Sequence, residues 1–356
     1  MSASQFQWPV SERFIEHLWD AWCIVSIIGI WPRFIEPSLL PITHHTLPLP
    51  ILPKEFDGLR IVQISDLHHT STQSRRFLER IVQKITRLAP DCILFTGDLL
   101  SFSHVSDPEL LREFLSSLKA PLGVYAILGN HDYAEYVSST ADGIYRKTDT
   151  AGSALVKGLC RLFSKKEALG PCVTEPIQEL AALHTLYAES GVKLLHNESV
   201  SIGSGLARIQ LAGLGDIAAK QCNPQRAFRG IDPRFPTIVL SHNPDSYALL
   251  EPYPGDLLLF GHTHGGQVNL PFIWQKVCDI QDKRFKSGLL YLNNKFLYIN
   301  RGLGSPVPFR WFAPPEIALF TLVREGPIKQ MVWEEERREE KLPTSMYEPT
   351  SAFSNR

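Results

Sequence analysis

Six short apolar runs punctuate this chain, each closed by glycine or a polar residue: "LRIVQIS" (59–65), "CILFTG" (92–97), "GVYAILG" (123–129), "ARIQLAGLG" (207–215), "TIVLSH" (237–242) and "DLLLFGH" (256–262). Runs so short and so continuously apolar predict strands buried on both faces, because a strand with one wet face alternates instead. Between the first three, "RRFLERIVQKITRLAP" (75–90) and "PELLREFLSSLK" (108–119) space their apolar residues for helices. Alternation of this kind predicts α/β layering around a largely buried sheet. After Gly288, "GLLYLNNKFLYIN" and "PEIALFTLVR" predict further strands, so the chain closes with β structure.

Other segments break the rhythm. Between Tyr133 and about Leu195, "GSALVKGLCRLFSKKEALG" predicts an inserted helix, with Leu155, Leu159, Leu162 and Phe163 on one stripe and Lys157, Arg161 and Lys165 opposite. That pattern suits either a solvated cap on the core edge or a basic lid meeting an anionic headgroup. At the N-terminus, "FIEHLWDAWCIVSIIGIW" (14–31) is interrupted by Glu16, His17 and Asp20, and its uncharged remainder runs only from Ala21 to Trp31. A spanning helix needs about 20 apolar residues, so the pattern predicts an in-plane membrane anchor; the alternative is a helix packed on its own domain. Phe14, Leu18, Trp22 and Val25 share the expected apolar face, while Trp8, Trp19, Trp22 and Trp31 suit headgroup depth. The Pro-rich stretch that follows, ending in "LPLPILP" (47–53), predicts an extended connector. The polar tail from Glu334 predicts disorder.

Composition narrows the function classes. A chain of 356 residues, 44% hydrophobic and 21% charged, has ample material for a globular core. Its formal net charge of −1 provides no overall field to draw nucleic acid, and no basic stripe with interleaved aromatics is visible, so no nucleic-acid partner is expected. Six scattered cysteines with no CxxC suit free thiols in a reducing compartment and argue against a thiolate metal site.

Candidate chemistry sits where the predicted strands stop. "QISDLHH" supplies Asp66 and His68, "FTGDLL" Asp98, "LGNHDY" Asn130, His131 and Asp132, "LSHNPD" His242, and "FGHTHGG" His262 and His264. Ligands in open α/β sheets collect at the carboxyl ends of strands, which predicts that these side chains share one rim of one sheet. Carboxylate, imidazole and amide oxygen suit hard-to-borderline divalent ions. The glycines of "GHTHGG" allow backbone to approach such ions closely.

In this order the motifs resemble the calcineurin-like metallophosphoesterases, whose pattern runs D-x-H, G-D, G-N-H-[DE], H and G-H-x-H; the resemblance covers about residues 58–325. It implies a four-layer αββα sandwich with an inserted helical cap. It also implies two divalent metal ions, Mn²⁺ first with Fe²⁺, Zn²⁺ or Mg²⁺ as alternatives, sharing Asp98 as a bridging carboxylate. Asp66, His68 and His264 then complete the shell of one ion; Asn130, His242 and His262 complete that of the other. Such a pair, about 3.5–4 Å apart, clamps the attacking and leaving oxygens of an in-line displacement at phosphorus. His131 stands beside the metals as general acid, and Asp132 either orients its imidazole or caps the loop. "GDLLSF" is apolar where many relatives carry an acidic or amide residue.

On this resemblance the chain divides into a membrane-anchor segment (1–31), a Pro-rich connector (32–57), a metallophosphoesterase domain (58–333) with a helical insert at about 133–195, and the polar tail (334–356). The order of apolar segment, connector, "FDGLRIVQISDLHH" and "YINRGLGSPVPFRWFAPPEIALFTL" is similar to the membrane-associated branch of the family. That branch implies a lipid-linked nucleotide substrate at the cytoplasmic face of the inner membrane: UDP-2,3-diacylglucosamine, an intermediate of lipid A synthesis, cleaved at its diphosphate to UMP and 2,3-diacylglucosamine 1-phosphate. Arg301 and Arg310 are candidate phosphate clamps, since guanidinium binds phosphate oxygens bidentately. Hydrolysis of another lipid or small-molecule phosphoester is the alternative. An inactive membrane scaffold is the alternative of a different class, and a complete set of eight candidate side chains weighs against it.

Overall fold

The computed structural model describes residues 12–135, 137–139, 145–147, 175–278, 280–307 and 309–324. The helix expected over 152–170, Trp8 and the polar tail lie outside the described residues. Two six-stranded sheets dominate. The first runs β1 (Ile42–Pro48), β14 (Ile317–Val323), β2 (Leu59–Ile64), β3 (Cys92–Phe95), β4 (Val124–Ala126) and β7 (Lys193–Leu194). The second runs β12 (Gly288–Leu292), β13 (Lys295–Ile299), β11 (Leu257–Phe260), β10 (Thr237–Leu240), β9 (Ala207–Gly213) and β8 (Glu198–Ser204). A small hairpin pairs β5 (Val137–Ser139) with β6 (Tyr145–Lys147).

The sheets lie face to face. Ile61, Leu94 and Phe320 of the first meet Leu211, Leu240, Leu259 and Tyr298 of the second in one buried core. The other face of the first sheet is covered by the helices Arg75–Arg87, Pro108–Ser117 and Ala181–Glu189, which set Leu78, Ile81, Leu111 and Leu183 against Val62, Ile64 and Ile93. Phe228, Tyr247, Leu250 and Phe285, from short helices and loops, cover Val239, Leu258 and Leu297 behind the second sheet. The result is the four-layer αββα sandwich. Both faces of every central strand are covered, which is why the strand runs are apolar throughout instead of alternating.

The two sheets also share polar contacts. Gln63 of β2, fully buried, donates from Nε2 to the Phe260 carbonyl of β11 and to Thr96 Oγ1, both at 2.9 Å. A buried amide is tolerated only when bonded, so this clasp favours one alignment of the sheets. Their parallel triplets, β2–β3–β4 and β9–β10–β11, bring the carboxyl ends of each triplet to a common edge.

Two expectations need correction. The stretch read as a connector contains β1, which pairs with β14 from Ile42 to Pro48. Its prolines, Pro41 and Pro48, bracket an edge strand, where a missing N–H costs little. The N-terminal helix does not end at Trp31 either. Helical structure runs from Glu12 to Ser38, taking Pro32 into a wider π-helical stretch over Ser26–Ile35. Between Arg13 and Ser38 it is long and apolar enough to cross a membrane, and its large apolar side chains are exposed on all sides, including Ile15, Trp19, Ile24, Ile28 and Phe34.

Phe320 lies at the centre of the inter-sheet core, edge-on to Tyr298 at 5.1 Å and stacked with His45 at 5.4 Å. Phe320→Ala should cost about 3–5 kcal/mol of unfolding free energy, read by chemical denaturation in detergent. A loss below about 1 kcal/mol would mean that the sheets are not packed as described.

Candidate metal centre

Each ligand-bearing turn follows a strand directly: Asp66 and His68 after β2, Asp98 after β3, Asn130 and His131 after β4, His242 after β10, His262 and His264 after β11. They come from both sheets. The expectation of a single sheet rim is therefore corrected: the site lies where the matching edges of two stacked sheets meet. Asp66, His68, Asp98, His262 and His264 all have left-handed backbone, with φ between 48° and 70°. Non-glycine residues held there cost on the order of 1–3 kcal/mol each, and such strain concentrates at functional sites. Gly129 must be glycine, because a Cβ there would stand 2.5 Å from the Asp98 backbone nitrogen and strike its carboxylate.

The side chains converge tightly. Asp98 Oδ2 lies 3.2 Å from His242 Nε2, 3.5 Å from His68 Nε2 and 3.9 Å from His131 Nε2. Asp66 Oδ1 lies 3.7 Å from both His68 and His264 Nε2, and those two nitrogens are 3.2 Å apart. Asn130 donates from Nδ2 to the Val137 carbonyl, which leaves its Oδ1 2.9 Å from His262 Nδ1. Two sets, Asp66–His68–His264 and Asp98–His242–His262, each have donor atoms within 4.8 Å of one another. A third such set joins His131 to His68 and Asp98.

Ring orientation tests whether cations fit. His242 Nδ1 donates to the Thr96 carbonyl at 2.7 Å, and His131 Nδ1 donates to the Ser101 carbonyl at 2.9 Å. Both rings thus turn Nε2 towards Asp98, and in a neutral imidazole that atom is a lone pair. A lone pair facing a carboxylate needs a proton or a cation between them, so the donor set suits divalent ions. Without such ions, protons take their place. Burial disfavours charge on His242, but the Asp98 and Asp66 carboxylates outweigh it and hold its pKa well above the ordinary value. Burial likewise opposes the Asp98 charge, and His242 and His131 nevertheless hold that carboxyl well below the usual range. Burial alone dominates at His131, whose pKa falls to about 4.

Several assignments change on the structure. Asp132 does not orient His131. Its carboxylate accepts from the backbone N–H groups of Gly129, Leu99 and Leu100 at 3.0–3.2 Å, tying the loops after β3 and β4 together. The apolar "GDLLSF" segment thus contributes through its backbone: two N–H groups to Asp132, and the Ser101 carbonyl to His131. Arg310 is fully buried, donating to the carbonyls of Ala313 and Gly304 and lying 3.3 Å from His264 Nδ1. It props the loop and the ring and is closed to a phosphate. Arg301 is engaged by Glu316, through its guanidinium at 2.7 Å and its backbone N–H at 2.8 Å.

Sequence reasoning missed Asp216. It follows β9, the neighbour of the strand that delivers His242, and is fully buried. Oδ1 accepts from the N–H groups of Ala218 and Ala219, Oδ2 has no hydrogen-bond partner, and burial pushes its pKa up to about 6. Its signal was present: "GLGD" ends a strand in aspartate just as "FTGD" does.

The calcineurin-like phosphoesterase family profile matches residues 59–266. UDP-2,3-diacylglucosamine pyrophosphatase LpxG of Chlamydia trachomatis serovar D is 37% identical over 317 residues, covering 83% of this chain and 93% of that protein. Its counterpart in Chlamydia muridarum is 38% identical over 309 residues with the same coverage. Phosphodiesterase YaeI of Escherichia coli K12 is 26% identical, covering 82% of this chain and 91% of its own.

With three buried N–H groups left unpaired, Asp132→Ala should lose about 2–4 kcal/mol of stability. The pH dependence of its remaining turnover should match the parent. A displaced profile would restore Asp132 as the group that orients His131.

Proposed function

The chain belongs to the calcineurin-like phosphoesterase family, and on that premise we propose that it cleaves the diphosphate of UDP-2,3-diacylglucosamine to UMP and 2,3-diacylglucosamine 1-phosphate. Metal-dependent hydrolysis of phosphoric ester or anhydride bonds is the activity at this level of description. The observation that carries the proposal is the convergence of two buried carboxylates and the surrounding imidazoles from both sheets at one point. The finer substrate rests on similarity to the two chlamydial pyrophosphatases over nearly their full length. An exposed apolar helix beside the domain suits a substrate with acyl chains.

In this reading Asp66, His68 and His264 would hold one divalent ion, Asn130, His242 and His262 would hold a second, and Asp98, beside both His68 and His242, would serve both. When bound, the ions supply an activated water and neutralise charge developing on the phosphoryl oxygens. Thr96 and Ser101 keep the His242 and His131 rings aimed inward through their carbonyls. With Nδ1 committed, His131 Nε2 is the atom that gives a proton to the leaving oxygen. Burial favours the neutral ring, and the negative charge of a bound diphosphate favours the protonated one. Arg310 is enclosed by the Ala313 and Gly304 carbonyls, whereas Arg301, paired with Glu316, keeps part of its side chain exposed. A second reading, a phosphodiesterase acting on another lipid or small molecule, is favoured by the likeness to YaeI.

Incubation with UDP-2,3-diacylglucosamine, Mn²⁺ and detergent should release UMP; turnover of simple diesters without UMP release selects the second reading. Asp98→Ala should lose both ions by elemental analysis together with activity, and retained turnover would refute the bridging role. His131→Ala should keep both ions while turnover falls about 10²- to 10⁴-fold; loss of metal in that variant would make His131 a ligand.

A further inference from the structure

Two exposed phenylalanines occupy backbone conformations that cost energy. Phe272, 82% exposed at φ 62°, and Phe312, 59% exposed at φ 55°, both lie in the left-handed region, where a bulky residue is a genuine outlier. The strain gains no core packing, since the Phe272 ring is turned to solvent and the Phe312 ring, itself largely exposed, stacks against Trp311 at 6.1 Å. Their loops are joined: Asn269 donates from its backbone to the Trp311 carbonyl at 2.7 Å and from Nδ2 to the Phe312 carbonyl at 3.1 Å. The same loops border the metal centre, one following His264 directly and the other carrying Arg310, which touches that ring.

The N-terminal helix is fastened to the second loop. Arg310 donates its backbone N–H to the Pro32 carbonyl at 2.8 Å, and Ala313 donates to the Glu36 carboxylate at 2.5 Å. Glu36 is buried and also accepts from Trp31 Nε1 at 2.9 Å. The base of the helix is therefore a fixed point beside Phe312. From Phe34 back to Phe14 the helix exposes apolar side chains all round, a surface suited to hydrocarbon.

We infer that Phe272 and Phe312 dip into the same bilayer surface as the N-terminal helix, forming an aromatic collar that holds the mouth of the metal centre against lipid headgroups. The occupant is a phospholipid bilayer with anionic headgroups. Arg33 at the helix base lies over Phe34, and Lys286 lies 4.4 Å over the Trp274 ring of the first loop. Basic groups set among aromatics are the pattern of an interface of that charge. A substrate with acyl chains then reaches Asp98 and its histidines without leaving the headgroup layer. The collar rests on the reading of the helix as a bilayer element, so the test reports on both.

An environment-sensitive fluorescent amino acid is placed, one site at a time, at Ile24, Phe272, Phe312 or Leu206 of the full chain. Leu206, 86% exposed, lies in the turn between β8 and β9, at the end of the second sheet away from the metal centre. The protein is reconstituted in phosphatidylethanolamine–phosphatidylglycerol vesicles containing lipids with a nitroxide quencher high on the acyl chain. Emission at 24, 272 and 312 should shift to the blue and fall about twofold or more, while 206 stays unchanged. Quenching at 24 with both loops behaving like 206 overturns the collar and leaves the helix in the membrane. Quenching at the loops without 24 overturns the helix reading and with it the shared surface proposed here, and no quenching at any site overturns both.

Discussion

Two carboxylates buried side by side, Asp66 and Asp98, set the terms for everything around them. They lie 3.7 and 3.5 Å from His68 Nε2 and 3.9 and 3.2 Å from His242 Nε2, and like charges gathered in a poorly solvated interior repel and lose their hydration as well. The fold surrounds them with imidazoles, and carbonyls of Thr96 and Ser101 fix how two of those rings face. What the carboxylates require is positive charge, and a pair of divalent ions would supply it while activating a water for attack on phosphorus. The left-handed backbone at five of the converging residues is the local cost of aiming them inward.

That convergence depends on long-range packing. Neither sheet owns the site, since Asp66, His68, Asp98 and Asn130 come from one and His242, His262 and His264 from the other. The apolar layer between the sheets provides the adhesion, and polar contacts such as Gln63 to Phe260 favour one register. A slip between the sheets would separate His242, His262 and His264 from the carboxylates while leaving much of the apolar contact in place. The same logic extends outward: Glu36 and Pro32 hold the loop that carries Arg310, and Arg310 packs on His264. The placement of the N-terminal helix is in this way continuous with the geometry of the metal centre.

Most of the sandwich was legible because its central strands are buried on both faces and read as short, mainly apolar runs closed by glycine or a polar residue. The converging residues were legible because metal chemistry needs particular side chains next to close-approach glycines, and both are local in sequence. What escaped was non-local or positional. β1 is masked by prolines that lie at the ends of an edge strand, and the N-terminal helix widens to carry Pro32, a residue that ordinarily breaks one. Arg310 reads as a phosphate clamp until the fold wraps carbonyls of Gly304 and Ala313 around it. The partner of His131 is a backbone carbonyl 30 positions upstream, which no side-chain pattern reveals. Asp216 lies just past the glycine that closes its apolar run and carries no second metal-type side chain beside it.

The claim on which the account stands is that these residues hold a pair of ions rather than one. Electron paramagnetic resonance of the intact protein loaded with Mn²⁺ reads this directly, because neighbouring Mn²⁺ ions bridged by a carboxylate couple their spins. The account predicts two ions per chain and an exchange-coupled spectrum. A six-line spectrum of isolated Mn²⁺ at one ion per chain, unchanged on further addition, would contradict it.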